Sequence, residues 1–167
     1  MLTNKMADAL NVQLNKEMYS GYLYMAMSAE CAALDLKGFA NWFMVQYQEE
    51  MAHAMKFYDY VLEHGNKVRL MAIDQPQIDF DSSLDMFEKT LAHEKFVTGL
   101  IHELVELAKS ENDKATESFL QWFVKEQVEE EETAGSLLEK VRSAGDSRDA
   151  LIILDKELAV REFHPPK

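Results

Sequence analysis

Between two long helical windows the chain reads Asn66-Lys67-Val68-Arg69-Leu70-Met71-Ala72-Ile73-Asp74-Gln75-Pro76-Gln77-Ile78-Asp79-Phe80-Asp81-Ser82. It opens after Gly65, a helix stop, and contains Pro76, the only proline before the C-terminal tail. Extended, these residues reach roughly 55 Å. The helix before them, of some 27 residues, is roughly 40 Å long. The segment is therefore long enough to run back along a whole bundle, and the helices on its two sides are expected to be parallel.

Outward from this link the chain is poor in breakers, with six glycines and three prolines in 167 residues. Helical patterning is expected from about Thr3 to Ala33, with Thr3 or Asn4 as cap, and from Gly38 to His64. It returns from Ser83 to Lys109, with Ser82 or Ser83 as cap, and from Asp113 to Ala144, closed by Gly145. A shorter window, Ser147 to Arg161, precedes Pro165-Pro166. No stretch alternates as a strand bounded by turns would. The joins at 34–37 and 110–112 are short, which makes their flanking helices antiparallel. The expected fold is all-α: a four-helix bundle with one long crossover between helices two and three, plus a short C-terminal fifth helix. One domain is expected over 1–167, with the bundle at 3–144, the fifth helix at 147–161 and a tail at 162–167.

Composition narrows the function. Apolar residues make up 47% of the chain, enough for a core, and the net charge is −13. That acidity argues against nucleic-acid and anionic-membrane partners and favours cations. The single cysteine, Cys31, excludes a disulfide framework or a multi-cysteine metal site, and is read as an inert buried thiol. No apolar run spans a membrane and the N-terminus does not read as a signal peptide, so the expected location is cytoplasmic.

The apolar stripes carry the decisive anomaly. At 3-4 spacing they read Met6, Leu10, Leu14, Glu17, Gly21, Tyr24, Ser28, and then Phe39, Phe43, Gln46, Glu50, His53, Phe57, Tyr60. The third and fourth read Leu84, Phe87, Leu91, Glu94, Thr98, Ile101, Val105, and Leu120, Phe123, Gln127, Glu130, Ala134, Leu137, Val141. Each is broken by a carboxylate near its middle. Glu17 and Glu50 lie equally far from the first short turn, and Glu94 and Glu130 equally far from the second, so both pairs face each other across their hairpins. Four carboxylates at one buried level repel unless they are protonated, hydrogen-bonded around water, or neutralised by cations. His53, three residues after Glu50 on the same face, tips the balance towards metal. An oxygen-rich site with imidazole and no thiolate suits iron or manganese. Glu50 is central enough to bridge two ions, with Glu17 and His53 on one and Glu94 and Glu130 on the other. The competing reading is a metal-free helical interaction module, which would be indifferent to loss of Glu50 or His53.

These residues, with Glu126-Gln127-x-x-Glu130, resemble the di-iron site of ferritins over nearly the whole chain, most closely bacterial non-haem ferritins. The chain departs from a Glu-x-x-His on each of two helices: Glu94 is followed by Lys95, Phe96 and Val97, and Gln127 stands near Glu130. That favours ferritin proper over bacterioferritins and rubrerythrins, and rubredoxin cysteines are missing too. Met51, at a bacterioferritin's haem-ligating position, is read as packing or surface, and no haem is expected.

The resemblance implies oxidation of Fe(II) to Fe(III) by O2 or H2O2, with the ferric product released as mineral into a homo-oligomeric 24-subunit cage. It implies Glu17, Glu50, His53, Glu94, Gln127 and Glu130 at the centre, and Tyr24 beside it as donor of a hydrogen bond or an electron, or else as a core tyrosine. With Glu130, it implies Glu49, Glu126 and Glu129 as a third iron site; the alternative is a solvated acidic flank, to which Glu131 and Glu132 belong. The reductase that releases the iron is not identified by the sequence. The apolar segment Ala150–Leu158 serves either assembly or docking on its own bundle. Glu117 and Leu120 replace the acidic i, i+3 pair of animal three-fold channels, so another access route for iron is expected. His64, His93, His102 and His164 are read as surface or cap residues.

Overall fold

Each hydrogen-bonding side chain expected at a helix start does its work. In the computed structural model, which describes residues 2–165, the Thr3 hydroxyl accepts from the Met6 N–H at 3.0 Å and opens α1, Asn4–Ala33. Ser82 opens α3, Ser83–Ser110, by accepting from Asp85 N–H at 3.1 Å. Asp113 does the same for α4, Lys114–Ala144, through Thr116 N–H at 3.1 Å. Ser147 starts α5, Arg148–Leu158, through Ala150 N–H at 3.3 Å. Each such cap is worth about 1 kcal/mol.

The helix ends share one device. Asp35, Gly65 and Asn112 have φ of 59°, 74° and 56°, and the following N–H reaches back to the carbonyls of Cys31, Val61 and Ala108 at 2.9, 3.1 and 2.9 Å. This is the Schellman closure, for which glycine is best suited and Asn or Asp are tolerated. Two of these ends make the tight hairpins α1–α2 and α3–α4; the third releases the crossover.

That crossover is extended and is held by α1. Asn11 donates to the Lys67 carbonyl at 3.1 Å and accepts from Arg69 N–H at 2.7 Å. One turn on, Asn15 donates to the Ala72 carbonyl at 3.1 Å and accepts from Met71 N–H at 3.2 Å. Each amide thus satisfies a donor and an acceptor of a segment that has no sheet partner.

Helix α2, Lys37–Glu63, has no side-chain cap of its own. Asp155 of α5 supplies it, accepting from the N–H groups of Gly38 and Phe39 at 2.7 and 3.0 Å. A Cβ on Gly38 would lie 1.6 Å from the Asp155 carbonyl oxygen, so only glycine admits α5 here. Leu154 and Leu158 are buried against the bundle while Ile153 stays 69% exposed. The fifth helix therefore docks on its own bundle and also keeps an apolar outer face. It ends at Leu158 rather than Arg161, because the Asn41 side chain takes the Leu158 and Arg161 carbonyls at 3.2 and 3.0 Å.

The core falls into two apolar blocks. One gathers Met6, Leu10, Leu14, Phe57, Ile101 and Leu120; the other Met27, Phe39, Phe43, Phe87, Leu137 and Val141. Each fully buried side chain of this size contributes about 1.5–3 kcal/mol. The stripes of α1, α2 and α4 are buried as patterned. On α3, Leu84, Leu91 and Thr98 are only half-buried, and Met86, Thr90, Val97 and Leu104 take the inside. That helix is turned towards α4 and α1, its two packing neighbours. Leu120 is fully buried. Among the described residues no helix is long and apolar enough to cross a membrane.

Candidate metal centre

Between the two apolar blocks lies a polar layer drawn from all four long helices. Glu17, Glu50, Glu94, His53, Gln46, Gln127 and Glu130 are all buried, none more than 7% exposed. They sit where the stripes predict leucine or phenylalanine, so the backbone that aims them inward is the one that packs the core.

The carboxylates divide by what holds them. Ligand atoms of Glu17, Glu50 and His53 converge within 4.8 Å of one another, and so do those of His53, Glu126 and Glu130. His53 Nδ1 is 3.3 Å from Glu50 Oε2, and its Nε2 is 3.9 Å from Glu126 Oε1. The imidazole thus stands between an inner group and one that opens outward. Glu94 joins neither group. Its two oxygens are taken by the Tyr24 hydroxyl, in a short hydrogen bond, and by Gln127 Nε2 at 3.2 Å.

A neutral donor accompanies each of three carboxylates: Gln13 donates to Glu17 at 2.7 Å, Gln46 to Glu130 at 2.6 Å, and Tyr24 and Gln127 to Glu94. Among the described residues Glu50 has no such donor and lies against Glu17, whose own carboxyl is raised by burial. Burial pushes the Glu94 carboxyl up to about 7, against the pull of Tyr24 and Gln127. Burial, with Glu94 nearby, pushes Glu130 to about 8. Glu50 is held well above the usual range by burial and by Glu94, Glu17 and Glu130 around it. The layer therefore retains protons at neutral pH, and a bound cation would take their place. Burial first, then Glu94, raises the Tyr24 hydroxyl well above its ordinary range, so it stays a donor.

Outside this layer is a cleft of about 250 Å³ lined by Glu49, His53, Trp122, Lys125, Glu126, Glu129 and His164. The Glu49 and Glu126 side chains are 22% and 29% exposed, and Glu129 is 60% exposed beside Lys125. Trp122 packs edge-on against the His53 ring at 5.5 Å and carries Lys56 over its own face at 4.3 Å. Glu131 is half-buried and accepts from Thr98 at 2.6 Å, whereas Glu132 is exposed.

Several placements correct the reading by spacing. His93 is mostly buried, 2.8 Å from the Ser20 hydroxyl and edge-on to Tyr24, and burial depresses its pKa to about 4. His164, read as surface, is exposed but borders the cleft. Gln13, Gln46 and Arg161 also touch site carboxylates and were not singled out. Gln46 had a signal, since it too breaks the α2 stripe, one turn before Glu50. Gln13 lies one turn before Glu17, but nothing in the spacing marks Arg161. Cys31 is fully buried against Met86, its thiol pushed to about 12. Met51 packs against α1, its sulfur beside Gly21.

A four-helix bundle with one long crossover and a buried carboxylate–imidazole layer at mid-height defines the class of helical proteins that build metal centres in the bundle core. The comparisons take this further. The ferritin-like domain model matches residues 7–144. A bacterial non-heme ferritin of Staphylococcus epidermidis is 41% identical over 98% of this chain and 99% of its own. One from Staphylococcus saprophyticus is 42% identical, with 98% of each chain covered. An open-pore ferritin from the hyperthermophilic archaeon Archaeoglobus fulgidus superposes with a TM-score of 0.96 at 50% identity, covering 97% of this chain and all of that one. The chain belongs to the ferritin family.

Proposed function

We propose that this protein oxidises Fe(II) to Fe(III) and stores the product as ferric mineral inside a 24-subunit cage in the cytoplasm. The observation that carries the reading is the convergence of Glu17, Glu50 and His53 within 4.8 Å, in a layer that also buries Glu94 and Glu130. Hard carboxylate oxygens favour Fe(III) over Fe(II), so binding lowers the cost of losing an electron. Two ferrous ions held together each give one electron. Dioxygen accepts the pair with two protons and becomes hydrogen peroxide; when peroxide is the oxidant, the same pair and two protons give two waters. Binding of the ferrous ions releases protons from Glu17, Glu50, Glu94 and Glu130. Tyr24 steadies Glu94, and Gln46 steadies Glu130. Glu49, Glu126 and Glu129 form a third, more open position through which iron passes. Release of stored iron draws electrons from a separate reductase. No haem and no nucleic acid take part.

The test is aerobic addition of excess Fe²⁺ followed by gel filtration with iron analysis of each fraction. Twenty-four chains of 19.2 kDa make a particle of roughly 460 kDa. Ferric iron co-eluting with that particle supports the reading. A few ferric ions on a small oligomer, with the rest precipitated, would overturn storage and leave redox chemistry alone.

A further inference from the structure

The C-terminal segment follows one line of α2 towards the cleft. Asp155 caps Gly38 and Phe39, and Asn41, one turn on, holds the Leu158 and Arg161 carbonyls. The Arg161 guanidinium then lies 4.7 Å over the Trp42 ring and donates to the Trp42 carbonyl at 3.3 Å. It also donates to Gln46 Oε1 at 2.7 Å and to Glu49 Oε2 at 2.5 Å. Both partners of the Arg161–Glu49 pair are more than three-quarters buried, so the pair is less screened than a surface one.

Gln46 links this contact to the inner layer. Its oxygen accepts from Arg161, while its Nε2 donates to Glu130 Oε2 at 2.6 Å. Turned end for end, the amide would set N–H against guanidinium and oxygen against carboxylate, and would lose both bonds. Arg161 therefore fixes which end of Gln46 meets Glu130.

We propose that Arg161 is a positioning residue of the iron-handling centre: it occupies Glu49 in place of a metal ion and orients Gln46 towards Glu130, so that an ion reaches the outer position only in competition with the guanidinium. The inference rests on the metal-binding reading above. It gives the outer position a built-in weakness, which keeps iron moving through it.

The experiment is anaerobic calorimetric titration of the assembled full-length protein with Co²⁺, a redox-silent divalent probe. Compared are wild type, Arg161→Gln and Arg161→Lys. The expected result for Arg161→Gln is an outer-ion step about tenfold tighter, the size of one charge-assisted hydrogen bond, with the inner steps within threefold of wild type. Arg161→Lys keeps the charge at Glu49 and is expected to leave the outer step within threefold of wild type. A merely structural role for the tail would weaken all steps together, or none, and would overturn the proposal. So would equal behaviour of the Lys and Gln variants. If Arg161→Gln does not fold, Arg161→Met, which also removes the charge but keeps the apolar stem, is titrated in its place with the same expectation of about tenfold. If inner ions bind and no outer step appears in any variant, the proposal falls and the site reading stands. If wild type binds no ion, both fall.

Discussion

The inner carboxylates Glu17 and Glu50 and the outer ones Glu49, Glu126 and Glu129 lie on either side of the His53 imidazole, yet they live in different solvents. The inner carboxylates are almost wholly buried, and burial, with neighbouring carboxylates around Glu50, raises their pKa values. The outer ones reach water, and Glu49 meets Arg161 and Glu129 meets Lys125, while Glu126 faces the His53 ring at 3.9 Å. Identical side chains thus differ in what they require of a cation. Among the described residues the inner layer holds no Lys or Arg, whereas two of the three outer carboxylates already meet a cation. The layer is also the costly part of the fold, since buried charge stabilises a protein only when fully compensated.

The comparison is broken most severely at Glu50. Glu50→Gln keeps the volume and removes the carboxylate that converges with Glu17 and His53, so the rate of ferrous oxidation is expected to fall on the order of 100-fold. The same change relieves crowding among carboxylates, and the metal-free protein should gain about 1 kcal/mol at pH 8. Stopped-flow absorbance of the ferric product and urea unfolding read the two effects, and oxidation at the wild-type rate would remove Glu50 from the centre.

Next in size is the pH dependence of the metal-free fold. Glu94 and Glu130 have folded pKa values of about 7 and 8, above the ordinary carboxyl value. Between those values and the unfolded pKa the folded state holds more protons. This contribution is therefore fully present below about pH 4.5 and is lost as pH rises through 7 and 8. Denaturant unfolding should show the metal-free chain less stable at pH 8.5 than at pH 5.5, by a few kcal/mol. Saturating Co²⁺ should oppose that slope, because metal binding competes with protons. A flat metal-free profile would mean that the inner layer is wetter than its burial implies.

Tyr24→Phe sharpens the inner half alone. Glu94 loses its short hydrogen bond but keeps Gln127, so oxidation should slow about tenfold and stability drop by about 1 kcal/mol. A loss as large as that of Glu50→Gln would give Tyr24 a part in electron transfer. The smallest effect is expected at Glu129, more than half exposed beside Lys125. Glu129→Gln should change initial oxidation less than about twofold and stability by less than about 0.5 kcal/mol, by the same two assays.

How much was legible follows from the range of each interaction. Helix ends were readable to within one residue for the four long helices, because Thr3, Ser82, Asp113, Gly65 and Gly145 act on the backbone beside them. Glu17, Glu50, Glu94 and Glu130 were readable as one buried level because a 3.6-residue period and a short hairpin fix height and face together. Helix α3 was misread by part of a turn, since Leu84 and Leu91 satisfy the 3-4 pattern as well as Met86 and Val97 do. Only the packing against α4 and α1 chooses between those faces. His93 looked unpartnered because Ser20 lies 73 residues away.

By itself, then, the sequence determined the four long helices, the direction of the crossover and the presence of one carboxylate layer across them. All of these rest on local spacing and on how far an extended chain reaches. The tertiary structure alone decided how protons and neutral donors are shared among those carboxylates, since this depends on atoms brought within 3 Å from different helices. It also decided that α5 ends early on Asn41 and sets Arg161 against Glu49 and Gln46. Such contacts join positions more than 110 residues apart, and no periodicity in the chain encodes them.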